Sequence, residues 1–318
     1  MIAKSRIPHS VTLVVSIWAV ASAFAQTNTA GFPHSPELQT LVDRAAHETL
    51  ETFSDRQLTS NQLAITLVDL REPAKPVQAS VRGGEQVYPA SVVKLFYLAA
   101  AHQWMEDGRI ADTAELRRAM RDMIVDSYNE ATGYIVDLLT DTTSGPELPE
   151  AELEKWYERR NAVNRYFTSL GFANINVNRK PWCEGPYGRE MQSTKLHKPN
   201  HRNWLSTDAT ARLLAEIATG RAVTPTRSRQ MMELLERKPF DPGAEPQSRE
   251  YIGSALPPES KLWSKAGWTS QTRHDAAYIE LPDTGKFVLV IFTTDHAGEK
   301  GIITAAAKVI VAGMRAAR

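Results

Sequence analysis

Chemistry is concentrated in the stretch from Val87 to Ala100, where Ser91 and Lys94 are the polar exceptions in an otherwise apolar run. Pro89 breaks an extended entry, and the spacing of Val92, Val93, Leu95, Phe96, Leu98 and Ala99 predicts a buried helix starting near Ser91. Residues three apart are neighbours on a helical face, so the Ser91 hydroxyl and the Lys94 amine stand side by side. A hydroxyl beside an amine is a nucleophile beside its base. The helix N-terminus adds backbone N–H groups suited to an oxyanion. A serine cap followed by a lysine snorkelling out of a core helix is the plain alternative. Two further stretches carry polar groups of the same kind. Asp126-Ser127-Tyr128-Asn129-Glu130 falls between two helical patterns, and Trp263-Ser264-Lys265-Ala266-Gly267-Trp268 closes a strand-like run in which Gly267 permits close backbone approach.

The elements that must position these residues follow from periodicity. Pro36–Phe53 reads as an amphipathic helix through Leu38, Leu41, Val42, Ala45, Ala46 and Leu50. Leu63–Leu70 and Val77–Arg82 read as a hairpin around a proline-containing turn. Helical patterns cover Thr113–Val125, Glu130–Leu139 and a charged Pro149–Leu170, whose charges suggest a solvated face. Gly171–Trp204 has no sustained period, and an irregular connection of that length is usually functional or mobile. Helices at Thr207–Ala218 and Thr226–Arg237 precede a proline- and glycine-rich loop, Pro239–Pro258. Strands at Leu262–Ala266, Ala276–Leu281 and Phe287–Thr294 follow, and an apolar helix, Ile302–Met314, closes the chain. The expected fold is α/β of the α+β type. An antiparallel five-stranded sheet is drawn from both chain ends and flanked by helices, with an all-helical lobe beside it. In residue numbers, the sheet lobe is 35–90 and 260–318 and the helical lobe 91–259. A cleft between lobes is the natural ligand site.

Ser-x-x-Lys, Ser-x-Asn and Lys-Ala-Gly, in this order and each on a fitting element, resemble the penicillin-recognising active-site serine hydrolases, most closely the class A β-lactamases. The similarity runs over nearly the whole chain after the leader, including Leu205-Ser206-Thr207-Asp208 and Ala276–Pro282. The resemblance implies Ser91 as the acylated nucleophile, Lys94 as its proton acceptor and Ser127 as the proton donor to the leaving nitrogen. It implies substrate binding by Asn129, Lys265, Gly267, Trp268 and Arg273, with the oxyanion held by the N–H groups of Ser91 and Trp268. For Arg273, a surface arginine is the alternative. The implied function is β-lactam hydrolysis through an acyl-enzyme. A D-Ala-D-Ala carboxypeptidase-like or esterase-like hydrolase, and a penicillin-binding protein acylated without efficient turnover, are the alternatives.

The sequence departs from that pattern in several places. Ser91 and Ser127 are only 36 residues apart, which trims the helical lobe. Tyr128 stands where an aspartate is usual, and Ala266 where Thr or Ser is usual. No Glu-x-x-x-Asn follows Asn178-Arg179: Glu184, the only acid between Gly171 and Tyr187, is the better candidate for the deacylating base, and Glu190 is expected to be replaceable by Gln. A solvated loop carboxylate is the alternative for Glu184.

Composition excludes several classes. Lys4 and Arg6, the apolar Val11–Val20 and Ala23-Phe24-Ala25 predict a secretory signal peptide, residues 1–25, cut after Ala25. The product is expected to be secreted or periplasmic, with no stable membrane insertion. Loss of that leader leaves residues 26–318 as the hydrolase domain with a net charge of −2, which argues against nucleic acid as a partner. Cys183 is the only cysteine, so no intrachain disulfide forms. His197 and His201 flank Pro199 with no matching acids, so no metal and no cofactor are expected. His274-Asp275 reads as a structural aspartate at a strand start. The scattered tryptophans read as core and cleft lining. The expected partner is a small β-lactam or a peptidoglycan-like peptide, bound by a monomer.

Overall fold

The structure is a computed structural model that describes residues 31–182, 185–196, 202–282 and 285–316. The signal-peptide stretch, Cys183, Glu184, His197 and His201 lie outside the described residues. The chain opens with helix α1 (Pro36–Thr52), capped by Ser35, whose side chain accepts from the Leu38 N–H. Strands β1 (Leu63–Asp69) and β2 (Val77–Val81) form the expected antiparallel hairpin. Helices α2 (Lys94–Glu106), α3 (Ala114–Ile124) and α4 (Asn129–Thr140) begin the helical block. It continues through α5 (Glu150–Arg160), α6 (Ala162–Ser169), α7 (Gly188–Leu196), α8 (Thr207–Ala218) and α9 (Pro225–Leu235). Strand β3 (Glu236–Arg237), the short α10 (Pro246–Arg249), strands β4 (Lys261–Trp268), β5 (Thr272–Glu280) and β6 (Lys286–Thr294), and helix α11 (Gly301–Ala316) complete the chain.

The sheet is antiparallel throughout in the order β2-β1-β6-β5-β4-β3, so the two chain ends meet where β1 pairs with β6. It has six strands rather than five. The extra one, β3, is a two-residue edge pairing Glu236 with Trp263 and Arg237 with Leu262, too short to leave a period in the sequence. Side chains alternate across a strand, and β6 feeds both cores. Phe287, Leu289 and Ile291 pack with Val42 of α1 and Ile303 and Ile310 of α11. Val288, Val290 and Phe292 pack with Leu95 and Phe96 of α2 and Leu213 of α8. A strand buried on both faces reads as an unbroken apolar run.

Three local expectations are corrected. The helix after Pro89 begins at Lys94, and Ser91 sits in a preceding 3-10 turn, Ala90–Val93. The 149–170 helix breaks at Asn161, whose side-chain oxygen accepts from Asn164 and Asn178 instead of leaving the segment free to run straight. Its charged face is also not all solvated: Arg160 is fully buried. Within the irregular 171–204 connection lies α7, which the sequence did not suggest.

Candidate active site

The turn carrying Ser91 is pinned from two sides before any substrate arrives. Val87 exchanges backbone hydrogen bonds with Leu205, at 2.9 Å in both directions. Two residues before Ala90, the Tyr88 carbonyl accepts from His274 Nε2 at 2.9 Å. The other His274 nitrogen, Nδ1, accepts from the Thr293 N–H at 3.2 Å, which fixes the neutral tautomer with its proton on Nε2. Burial pushes the His274 pKa down to about 4, so the ring stays neutral while it holds this contact. His274 lies inside β5 rather than at its start, as does Asp275, whose carboxylate accepts from the Ile252 N–H at 3.1 Å. Burial raises the Asp275 pKa to about 7.

On the third side stands Gly267 of β4. A Cβ built there would lie 2.8 Å from both the Pro89 carbonyl oxygen and the Ser91 nitrogen, and 3.0 Å from the Val92 nitrogen. Only a residue without a side chain lets the strand approach the Ser91 turn this closely. The resulting packing sets the Ser91 N–H beside the strand end that carries Trp268, whose side chain is half exposed.

Lys94 opens α2 and is fully buried. Its Nζ lies 2.6 Å from the Ser127 carbonyl oxygen, 3.2 Å from Ser127 Oγ and 2.9 Å from Asn129 Oδ1. Ser127 holds a left-handed backbone with φ +61°, and Asn129 is the first residue of α4. For a residue other than glycine that conformation costs on the order of 1–3 kcal/mol and persists only where its surroundings hold it. From the opposite direction comes Lys265 of β4, also fully buried, donating to Ser127 Oγ at 3.0 Å, Gln247 Oε1 at 3.0 Å and the Ala266 carbonyl at 2.8 Å. Burial first, then the neighbouring Lys94 and Arg237 charges, lower the Lys265 pKa well below that of an ordinary lysine. Ser91, Lys94, Ser127, Asn129, Lys265 and Gly267 are thus gathered from the first turn of the helical block, the α3–α4 connection and β4.

Arg273 is placed differently. Register pairs it with Trp268, and alternation puts both on the face opposite Lys265 and Gly267. Its guanidinium lies 4.0 Å over the Tyr251 ring and 3.4 Å from the Glu250 carboxylate, and the residue is buried rather than a surface arginine.

The long connection folds against α4 and α5 through a charged network. Asn203 Oδ1 accepts from the N–H groups of Asn178 and Arg179, and the Arg179 side chain reaches Ser193. Glu190 is almost fully buried, 2.6 Å from Arg160, and accepts from Ser144 at 3.0 Å. A glutamine there is therefore not the harmless replacement that the sequence suggested. Lys180 joins Asp137 at 2.6 Å and Ser144 at 2.9 Å. Between this network and Tyr88 is a cavity of about 320 Å³, lined also by Trp182, Arg202 and Met191. Among the described residues no group of three or more His, Cys, Asp or Glu is placed to hold a metal ion.

Sequence reasoning missed His274 as a support of the Ser91 turn, Gln247 as a partner of Lys265 and Arg160 as the anchor of Glu190. Only the first had a signal, a histidine within a strand that borders the Lys-Ala-Gly segment.

The profile of the β-lactamase enzyme family matches residues 46–313. No curated protein matches the chain. Among solved structures, a β-lactamase from Sphaerobacter thermophilus DSM 20745 shares 20% identity with a TM-score of 0.62, covering 88% of this chain and 98% of its own. A PBP-A mutant solved as an acyl-enzyme complex with penicillin G shares 16% identity with a TM-score of 0.64, covering 89% and 99%. A representative class A β-lactamase from Bacteroides cellulosilyticus DSM 14838 shares 12% identity with a TM-score of 0.61, covering 87% and 98%. At these identities the likeness is one of fold.

Proposed function

This chain belongs to the β-lactamase enzyme family, and from that premise we propose that it is a serine hydrolase which opens β-lactam amides through an acyl-enzyme on Ser91. The observation that carries the reading is the shared hydroxyl of Ser127, which stands 3.2 Å from Lys94 and 3.0 Å from Lys265. In the proposed reaction Ser91 Oγ attacks the lactam carbonyl and gives its proton to the Lys94 amine. The N–H groups of Ser91 and Trp268 receive the oxyanion, and loss of one such donor typically costs about 100- to 1000-fold in rate. The C–N bond then breaks as Ser127 donates its proton to the departing nitrogen, leaving the acyl group on Ser91. Ser127 is reprotonated from Lys94, and water releases the product. Lys265 supplies positive charge beside Ser127 for the substrate carboxylate, and Asn129 orients the substrate amide. The leader of residues 1–25 would deliver the enzyme to the periplasm or the exterior, where such substrates arrive.

Glu190 is already engaged by Arg160 and Ser144, which argues against it as the base of turnover. That arrangement favours a second reading, a protein acylated by penicillins that releases the acyl group slowly, unless Glu184 activates the water. Intact-protein mass spectrometry after a penicillin pulse tests both. A mass increase of one penicillin on the wild type, absent from a folded Ser91→Ala variant, is expected. Labelling that persists in the variant would remove Ser91 from its role. Slow loss of the adduct in wild type, unchanged in Glu184→Gln, would select the second reading.

A further inference from the structure

We infer that Gln247 is a positioning residue of this site, holding the Lys265 amine in register with Ser127; the inference rests on the reading of Ser91, Ser127 and Lys265 just given. Gln247 belongs to α10, within the stretch whose composition reads as loop, yet its side chain is buried. Its Oε1 accepts from Lys265 Nζ at 3.0 Å and its Nε2 donates to the Val125 carbonyl at 3.2 Å. These two ends cannot be exchanged, since an amine facing it as donor requires the oxygen and a carbonyl requires the N–H. Val125 follows the last residue of α3 and lies two residues before Ser127. One planar group therefore ties Lys265 to the segment that carries the hydroxyl it must serve.

A second tie runs parallel to the first. Arg237 of β3 donates to the Ile124 carbonyl at 2.9 Å and to the Ser264 carbonyl at 3.2 Å. Carbonyls at the end of a helix lack intrahelical partners, and here those of Ile124 and Val125 clamp the end of α3 onto β4, through Arg237 to the Ser264 carbonyl and through Gln247 to the Lys265 amine. The clamp holds the segment just before the left-handed turn at Ser127. Gln247 stabilises the Lys265 ammonium through a dipole, and it does so among charges of both signs: Lys94 and Arg237 disfavour the proton there, and the buried Asp275 favours it.

Two substitutions separate this role from simple packing. Gln247→Met keeps the shape and removes both hydrogen bonds. Gln247→Glu returns an acceptor to Lys265 and adds a negative charge. Lys265 is followed in the free protein by NMR of its side-chain carbon next to Nζ, and acylation of Ser91 by penicillin is timed across pH. Losing a hydrogen bond to a charged group should slow acylation in Gln247→Met by roughly 10- to 100-fold. Its Lys265 titration, and with it the basic limb of the acylation profile, should move to lower pH. Gln247→Glu should move both to higher pH. Opposite displacements are something a merely structural residue would not produce. Wild-type acylation rates with an unmoved Lys265 titration, or displacement of both variants in the same direction, would overturn the inference. Should Gln247→Met not fold, Gln247→Ala, which also removes the acceptor, must show the same downward displacement of the Lys265 titration, and an unmoved titration there would overturn the inference. Failure of the wild type to be acylated would sink the reading of the site, while the titration in the free protein would still decide the role of Gln247.

Discussion

Lys94 and Lys265 are two fully buried amines facing one hydroxyl, and hydrogen-bond counting shows how both can be accommodated. Around Lys94 Nζ, the Ser127 carbonyl and Asn129 Oδ1 can only accept, and a neutral amine still has two N–H groups for them. Either protonation state therefore serves both of these buried acceptors. His102 on α2 contrasts with this economy. It is buried, neither ring nitrogen has a hydrogen-bond partner, and it borders a cavity of about 340 Å³ with Met105, Met120 and Arg227. Burial first, and then the Arg227 charge, push its pKa down to about 4. The folded state thus binds fewer protons than the unfolded chain between pH 6.5 and 4, and stability falls across that window as pH falls. The shift corresponds to about 3 kcal/mol. His102→Leu should be neutral or mildly stabilising at pH 7, where it removes two unsatisfied polar atoms. Its advantage over wild type should grow as pH is lowered to 4. Urea unfolding at several pH values measures the difference; a constant difference would mean that His102 does not titrate this way.

At the scale of elements, the site is a meeting of the Ser91 turn with β4, and Gly267 sets how close they come. Gly267→Ala should push the Ser91 N–H off its position, costing about 1–3 kcal/mol of stability through overpacking. Acylation should fall by at least about 100-fold through the oxyanion donor. Thermal unfolding and timed mass spectrometry read the two effects separately, and an alanine variant acylated at the wild-type rate would contradict the close approach. Helix α5 makes a comparable point about charge. Arg160 is fully buried and 2.6 Å from the buried Glu190 of α7, so Arg160→Met leaves a carboxylate without its main partner. Breaking such a pair costs about 3–5 kcal/mol. The variant should therefore become sensitive to proteolysis within 185–196, and Arg160→Met combined with Glu190→Leu should recover much of the loss. If the double variant is no more stable than Arg160→Met alone, the pair is not the anchor of α7.

Across the whole molecule, the site depends on chain ends that lie far apart in sequence. Strand β1 pairs with β6 over seven residues, and α1 packs against α11 on the outer face of the sheet. At the helix contact, a Cβ on Gly313 would come within 2.4 Å of Leu41 Cδ1. Gly313→Val should wedge the two helices apart. A destabilisation of about 1–3 kcal/mol from overpacking corresponds to a fall in Tm of a few degrees for a domain this large. Acylation of Ser91 should be spared at temperatures below the transition, because the helix pair lies across the sheet from Ser91. An unchanged Tm would show that the helices have room to spare. No helix among the described residues is long and apolar enough to cross a membrane.

What the sequence determined by itself was whatever is written in local order. The period of α1, α3, α8 and α11, the apolar runs of β1, β5 and β6, and the order of Ser91-x-x-Lys94, Ser127-x-Asn129 and Lys265-Ala266-Gly267 were legible, because each depends on spacing along one segment. Tertiary structure alone decided the remainder. Strand β3 exists because Glu236 and Arg237 find β4, not because two residues prefer to be extended. The start of α2 at Lys94 rather than near Ser91 follows from the Ser91 turn being pressed against Gly267 and tied through Tyr88 to His274. Arg160 and Gln247 look like surface residues in a charged helix and a loop, and their burial is set by partners 30 and 18 residues away. Spacing names the groups that can react; only long-range packing fixes which face they turn to and which groups they meet.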